Sequence, residues 1–296
     1  MNIVILGPGA VGSLWANAFL HAGHSVSLCS RQSAKQLSIQ VDQYNAALFA
    51  NNDKQSIQDA DLLLVTVKAP HVITALTPLL PQISPDCMIM LMHNGMGTAE
   101  DVIEFLPNNP LLLATTTHGA YRESSQRVLH TGLGTTQLGG YNDKGKQCAF
   151  LEEVFQHALP EVKWNHDILH ALWHKLAINC AINPLTAIHQ VTNGTLAQEE
   201  FSLLLSRVID EVSQILTAEE IRLSKKQLED SIFKVIELTA KNHSSMQQDV
   251  FHRRATEIDF ITGYLLHKAK HHNIAATENT ALYQQIKQIE QSWNHE

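Results

Sequence analysis

The sequence predicts an α/β half followed by an all-helical half. Three observations predict it. Short apolar runs alternate with amphipathic stretches through the first half. The first run leads directly into GPGAVG at 7–12. From about His166 the texture changes and long helical patterns take over. Strand–helix alternation of this kind implies right-handed βαβ units and a mostly parallel sheet.

The elements follow in order. NIVIL at 2–6, with no basic n-region and no small-residue cleavage site after the apolar run, reads as a first strand and not as a signal peptide. GSLWANAFLHAG at 12–23 has a helical pattern, and HSVSLC at 24–29 is a second strand. DLLLVTV at 61–67, MIMLM at 88–92 and LLLATTT at 111–117 continue the strands, with TAEDVIEFL at 98–106 as a helix. The Gly/Thr-rich segment 127–140 is expected to add a late hairpin. Helical patterns then cover 167–183, 195–219, 225–241, 249–272 and 278–293. Ser224 with Gln227 has the spacing of a capping box, and Asp167 could cap the first of these helices. The expected domains are 1–165 and 166–296.

Composition excludes several classes of function. A formal net charge of -8 argues against wholesale nucleic-acid binding. No apolar run approaches the length of a membrane span. Cys29, Cys87, Cys148 and Cys180 form no CxxC pair, which suits reduced thiols in a cytoplasm. Oligomeric state is left as monomer or homodimer.

GPGAVG fits GxGxxG and gains weight from its context, after a strand and opening a helix. Gly7 permits the tight turn, Gly9 lets backbone approach a pyrophosphate, and Gly12 allows close helix–strand packing. Pro8, Ala10 and Val11 complete the loop, whose helix N-terminus offers free N–H groups to an anion. The second strand ends LCSRQ, with Arg31 and no acid. A carboxylate there would bind a ribose 2′-OH; an arginine instead suits a 2′-phosphate, so NADP(H) is the expected cofactor. Lys68 ends another strand on the same edge and could reach those phosphates or simply be solvated. Asn94, in HNGMG after MIMLM, could bind cofactor or substrate, or simply form a turn.

In LWHKLAINCAINPLTA, Lys175, Asn179 and Asn183 recur every four residues. On a helix they fall within roughly 80° of arc and form a seam about 12 Å long. Polar groups on an otherwise apolar helix need partners, and a polar ligand would satisfy all three. Pro184 is expected to end or kink the helix. His166, His170 and His174, like His267, His271 and His272, read as solvated stripes, and no metal site is expected. Ser244 and Ser245 could bind a carboxylate or cap a helix. Residues 253–263 are expected to be helical, with Glu257 a candidate partner for Lys175.

The ordered set LGPGAVG (6–12), LLLVTVKA (62–69), HNGMGT (93–98), TTTH (115–118), WHKLAINCAINPLTA (173–187), NG (193–194), SSMQQD (244–249) and TEID (256–259) resembles the ketopantoate reductases over nearly the whole chain. The resemblance implies an N-terminal Rossmann-type dinucleotide-binding domain and a C-terminal all-helical domain. It implies NADPH-dependent reduction of 2-dehydropantoate to pantoate, with Lys175 as general acid and Glu257 orienting substrate or cofactor. Asn179, Asn183 and Ser245 then hold the 2-oxo acid, joined by Asn193 and Asn94. Gly7, Arg31, Lys68, Asn94 and Ala120 match cofactor positions. Thr262 departs from the family, which often has Asn there. The alternatives are a reductase of another 2-oxo acid, a non-catalytic NADPH-binding sensor and a helix-mediated interaction protein.

Overall fold

The structure is a computed structural model that describes residues 1–293. The chain divides into two compact units, one of Met1–His93 with Thr98–Leu169, the other of Asn94–Gly97 with the chain from His170 onward.

The first unit is built on a sheet. Its elements are β1 (Asn2–Leu6), α1 (Ala10–His21), β2 (Ser25–Cys29), β3 (Gln36–Val41), β4 (Ala47–Asn51), α2 (Lys54–Gln58), β5 (Leu62–Val65), α3 (Val72–Leu76), β6 (Met88–Leu91), α4 (Thr98–Phe105), β7 (Leu111–Thr116), β8 (Gly119–Arg122), β9 (Arg127–Gly132), β10 (Thr136–Gly140), α5 (Leu151–Ala158) and β11 (Val162–Trp164). The strand order is β11-β10-β7-β6-β5-β1-β2-β4-β3-β9-β8. From β7 to β4 every pairing is parallel. The central strands β5 and β6 are buried at every position, as expected where both faces are covered. α1 buries Leu14, Trp15 and Phe19 in the core, and Trp15 and Phe19 stack with Phe155 of α5 at ring-centroid distances of 4.9 and 4.8 Å.

The expected hairpin at 127–140 does not form. β9 pairs antiparallel with β8 just before it and parallel with the distant β3, while β10 joins β7 and β11, so the Gly/Thr-rich link between β9 and β10 is a crossover and not a turn.

The second unit contains most of α6 (Ile168–His189), then α7 (Glu199–Ala218), α8 (Lys225–Leu238), α9 (Ser245–Phe251), α10 (Thr262–His271) and α11 (Thr277–Ser292). α6 buries Leu172, Trp173, Leu176, Ala177, Cys180, Ala181, Ile182 and Leu185, which point in nearly all directions around its axis. A helix buried on every side is central to its unit. The capping box of Ser224 and Gln227 starts α8. Two expectations are corrected. Pro184 does not end α6, which runs on to His189. Leu185, Thr186 and Ala187 are fully buried there, and that packing outweighs the roughly 3 kcal/mol a proline costs a helix interior. Residues 253–263 are not one helix: Arg253 has φ of 49°, and only a 3₁₀ turn at Ile258–Phe260 precedes α10.

Candidate active site

The candidate nucleotide-binding residues lie in the first unit. The Gly7 N–H donates to the Cys29 carbonyl at 2.9 Å and the Gly9 N–H to the Gly7 carbonyl at 2.7 Å. Gly7 has φ of 90°, and a Cβ there would lie 2.3 Å from Val67 Cγ1. A Cβ on Gly12 would lie 2.4 Å from Thr66 Oγ1 and 2.5 Å from the Gly7 carbonyl oxygen. At Gly9 a Cβ would meet only the Gly7 oxygen, at 3.9 Å, so this stretch of backbone is open to a ligand. α1 starts with Gly9 as its N-cap, and no side chain there satisfies its first N–H groups. The loop therefore fits a pyrophosphate.

Arg31 is exposed just beyond β2. Its loop is held by two residues that sequence reasoning missed. Asn51 Nδ2 donates to the carbonyls of Gln32 and Ala34, and Asn52 Nδ2 to those of Ser30 and Gln32. The only signal for them was a polar NND turn after ALFA. Beside Pro8 and Gln32 a recess opens, walled also by Ser38, Arg122 and Gln126. Lys68 is half-buried after β5, and Ala120 is half-buried at a register shift between β8 and β9.

The candidate reacting residues lie in the second unit. Lys175 sits half-buried on α6. Loss of hydration pushes its pKa down to about 8, and the negative charge of Glu257 opposes that fall. Glu257 is buried and accepts a hydrogen bond from Asn94 Nδ2 at 3.0 Å. Lys175, Glu257 and Asn94 thus belong to one electrostatic group. Asn94 is placed through its neighbours: Gly95 packs its backbone onto Phe260, and the Met96 N–H donates to the Phe260 carbonyl at 2.8 Å.

Asn179 is half-buried and Asn183 buried on the same helix. Among the described residues, none hydrogen-bonds either side-chain amide. The Asn183 carbonyl does accept from Thr186 Oγ1, which also lies 2.7 Å from Ser244 Oγ. Ser244 caps α9 by accepting from the Gln247 N–H. It is therefore the capping serine, and it fixes the exposed Ser245 at the start of α9. Asn193 is buried; its Nδ2 donates to Thr239 Oγ1 at 2.8 Å and its N–H to the Asn242 carbonyl. Those bonds brace the turn it sits in.

The turn bearing Glu257 has a support that the sequence did not reveal. Glu290 of α11 accepts from the Thr256 N–H and Oγ1 at 2.8 and 2.7 Å. His170 Nε2 lies 3.4 Å from the Arg222 carbonyl and His174 Nε2 lies 3.1 Å from Ser231 Oγ. Thr262, the departure from the family pattern, is fully buried at the start of α10.

Comparison with known proteins decides the family. The model for "Ketopantoate reductase PanE/ApbA" matches residues 3–143, and that for its C-terminal part matches residues 167–290. The chain belongs to the ketopantoate reductase family. The 2-dehydropantoate 2-reductase of Vibrio cholerae is 52% identical over 294 residues, covering 99% of each chain. That of Escherichia coli O157:H7 is 37% identical over 297 residues, covering 99% of this chain and 96% of the relative. A solved ketopantoate reductase of Ralstonia eutropha matches at TM-score 0.90 and 26% identity over the whole of both chains. D-mandelate dehydrogenase with NADH and anilino(oxo)acetate matches at TM-score 0.90 and 22% identity, covering 99% of this chain and 100% of its own, a likeness of fold. Ketopantoate reductases are enzymes, and the α/β-plus-helical architecture of this chain is theirs.

Proposed function

We propose that this ketopantoate reductase family member reduces 2-dehydropantoate to pantoate with NADPH, in pantothenate and coenzyme A biosynthesis. One observation carries the reading: a lysine with a pKa near 8, tied electrostatically to a buried glutamate, on a helix whose neighbouring amides await a polar partner. A general acid works best with a pKa near the operating pH.

The Gly7–Gly12 loop would hold the pyrophosphate of bound NADPH and Arg31 its 2′-phosphate, with Lys68, Asn94 and Ala120 as further cofactor contacts. NADPH, when bound, supplies a hydride to C2 of the oxo acid. Lys175 stabilises the negative charge that develops on the ketone oxygen and gives it a proton, so the product is a 2-hydroxy acid. Glu257, held by Asn94, keeps the ammonium in position. Asn179, Asn183 and Ser245 hold the substrate carboxylate and hydroxyl, and Asn193 braces the neighbouring turn. The cytoplasm is the natural compartment for four buried free thiols.

Oxidation of NADPH is followed with ketopantoate and a panel of other 2-oxo acids. The highest kcat/KM is expected with ketopantoate. A faster turnover of another oxo acid would move the substrate assignment, and no turnover with any would leave NADPH sensing.

A further inference from the structure

In the second unit, the C-terminal ends of two helices bring three ligand atoms together. Glu219 is the C-cap of α7; His271 is the last residue of α10 and His272 its C-cap. One ligand atom from each lies within 4.8 Å of the others. We infer that Glu219, His271 and His272 form a binding site for a zinc-class divalent ion that ties the end of α7 to the end of α10.

The local backbone makes the arrangement possible. Consecutive residues within a helix diverge by about 100° and do not meet. His272 has left the helix, at φ −93° and ψ 4°, and Asn273 follows in the left-handed region at φ 56°. The break lets the two rings approach, with centroids 4.9 Å apart and planes at 87°.

The dimensions suit a metal. Bonds of about 2.0–2.2 Å in a tetrahedral site separate ligand atoms by roughly 3.4 Å. The Glu219 Oε1 to His272 Nε2 distance is 2.6 Å, so an ion needs this pair to open slightly, with the other pairs within 4.8 Å. Two imidazoles and one carboxylate select zinc, nickel, cobalt or copper over magnesium or calcium, with water completing the shell. Both helix ends also carry negative partial charge, which favours a cation between them.

The second carboxylate oxygen is already engaged. Lys268 Nζ lies 3.2 Å from Glu219 Oε2. That bond orients the carboxylate with Oε1 towards His272, as a hydrogen bond behind a ligand does. The lysine also repels an incoming dication, so affinity is set by its charge as well as by the ligands. The ion would act on stability, because it binds the folded chain alone.

The test is titration of the full-length protein with zinc chloride by calorimetry, alongside thermal denaturation. One site per chain and a raised Tm are expected. His271→Gln with His272→Gln should weaken binding tenfold or more and abolish the Tm rise, and His271→Gln alone, at an exposed position, should weaken it measurably. Lys268→Gln should tighten binding several-fold. Affinity unchanged in the histidine variants would overturn the site and assign the zinc to others of the 17 histidines. Affinity unchanged or weakened in Lys268→Gln would overturn the role given to that lysine's charge.

Discussion

At Lys175 two opposing effects act on one ammonium. Burial lowers its pKa from 10.5 to about 8, and Glu257 limits the fall. A general acid must be protonated, so kcat/KM for reduction should be level below pH 8 and decline above it. Glu257→Gln removes the effect that raises the pKa, and the alkaline limb should move to lower pH; a limb that stays in place would separate the two residues. The folded pKa lies below the unfolded one, so the unfolded chain holds more protons between about pH 8 and 10.5 and this lysine's contribution to stability rises with pH across that window. Lys175→Ala should lower kcat by about 10²–10⁴-fold while leaving the Kd for NADPH nearly unchanged, as single-turnover rates and cofactor titration can measure. Asn179→Ala should raise KM for the oxo acid, since its amide has no other described partner; an unaltered KM would make the seam structural.

Among the elements, the junction of β1 and α1 leaves no room for change. A methyl at Gly12 would press on Thr66 and the Gly7 carbonyl. Gly12→Ala should destabilise the first unit by about 1–3 kcal/mol and weaken NADPH binding, measured by denaturant unfolding and cofactor titration. This junction was legible because a glycine pattern after a strand has few other uses. The polar seam was legible for the same kind of reason: period four on an apolar helix admits one face. Other elements left weaker traces. β3 does alternate, with Leu37, Ile39 and Val41 buried, and that period could have revealed it. The pairing of β9 with β3 could not be read, because the interacting segments lie far apart in sequence. The break at Arg253 lies in the left-handed region without glycine or asparagine to announce it. The helix beyond Pro184 persists through burial, which local propensity does not register. The convergence of Glu219 with His271 and His272 was hidden because it depends on how two helix ends meet.

For the whole molecule, cofactor binding should be visible as stability. A ligand that binds only the folded chain adds about 2.7 kcal/mol at a concentration of 100 Kd. NADPH should therefore raise the Tm more than NADH at equal concentration, and Arg31→Ala should remove most of that difference. An undiminished difference in the variant would place the 2′-phosphate elsewhere.

The second unit is assembled from separated pieces of chain, and this has a consequence for biosynthesis. Asn94 and Glu257 are 163 residues apart. At about 5–20 residues per second, Asn94 leaves the ribosome roughly 8–33 s before its partner exists. Met96 waits equally for the carbonyl of Phe260. The sheet can form early in translation, but the lysine–glutamate–asparagine group is completed only once Glu257, just ahead of α10 and α11, emerges, so a chain terminated before that point retains the nucleotide loop yet has no chemistry to offer.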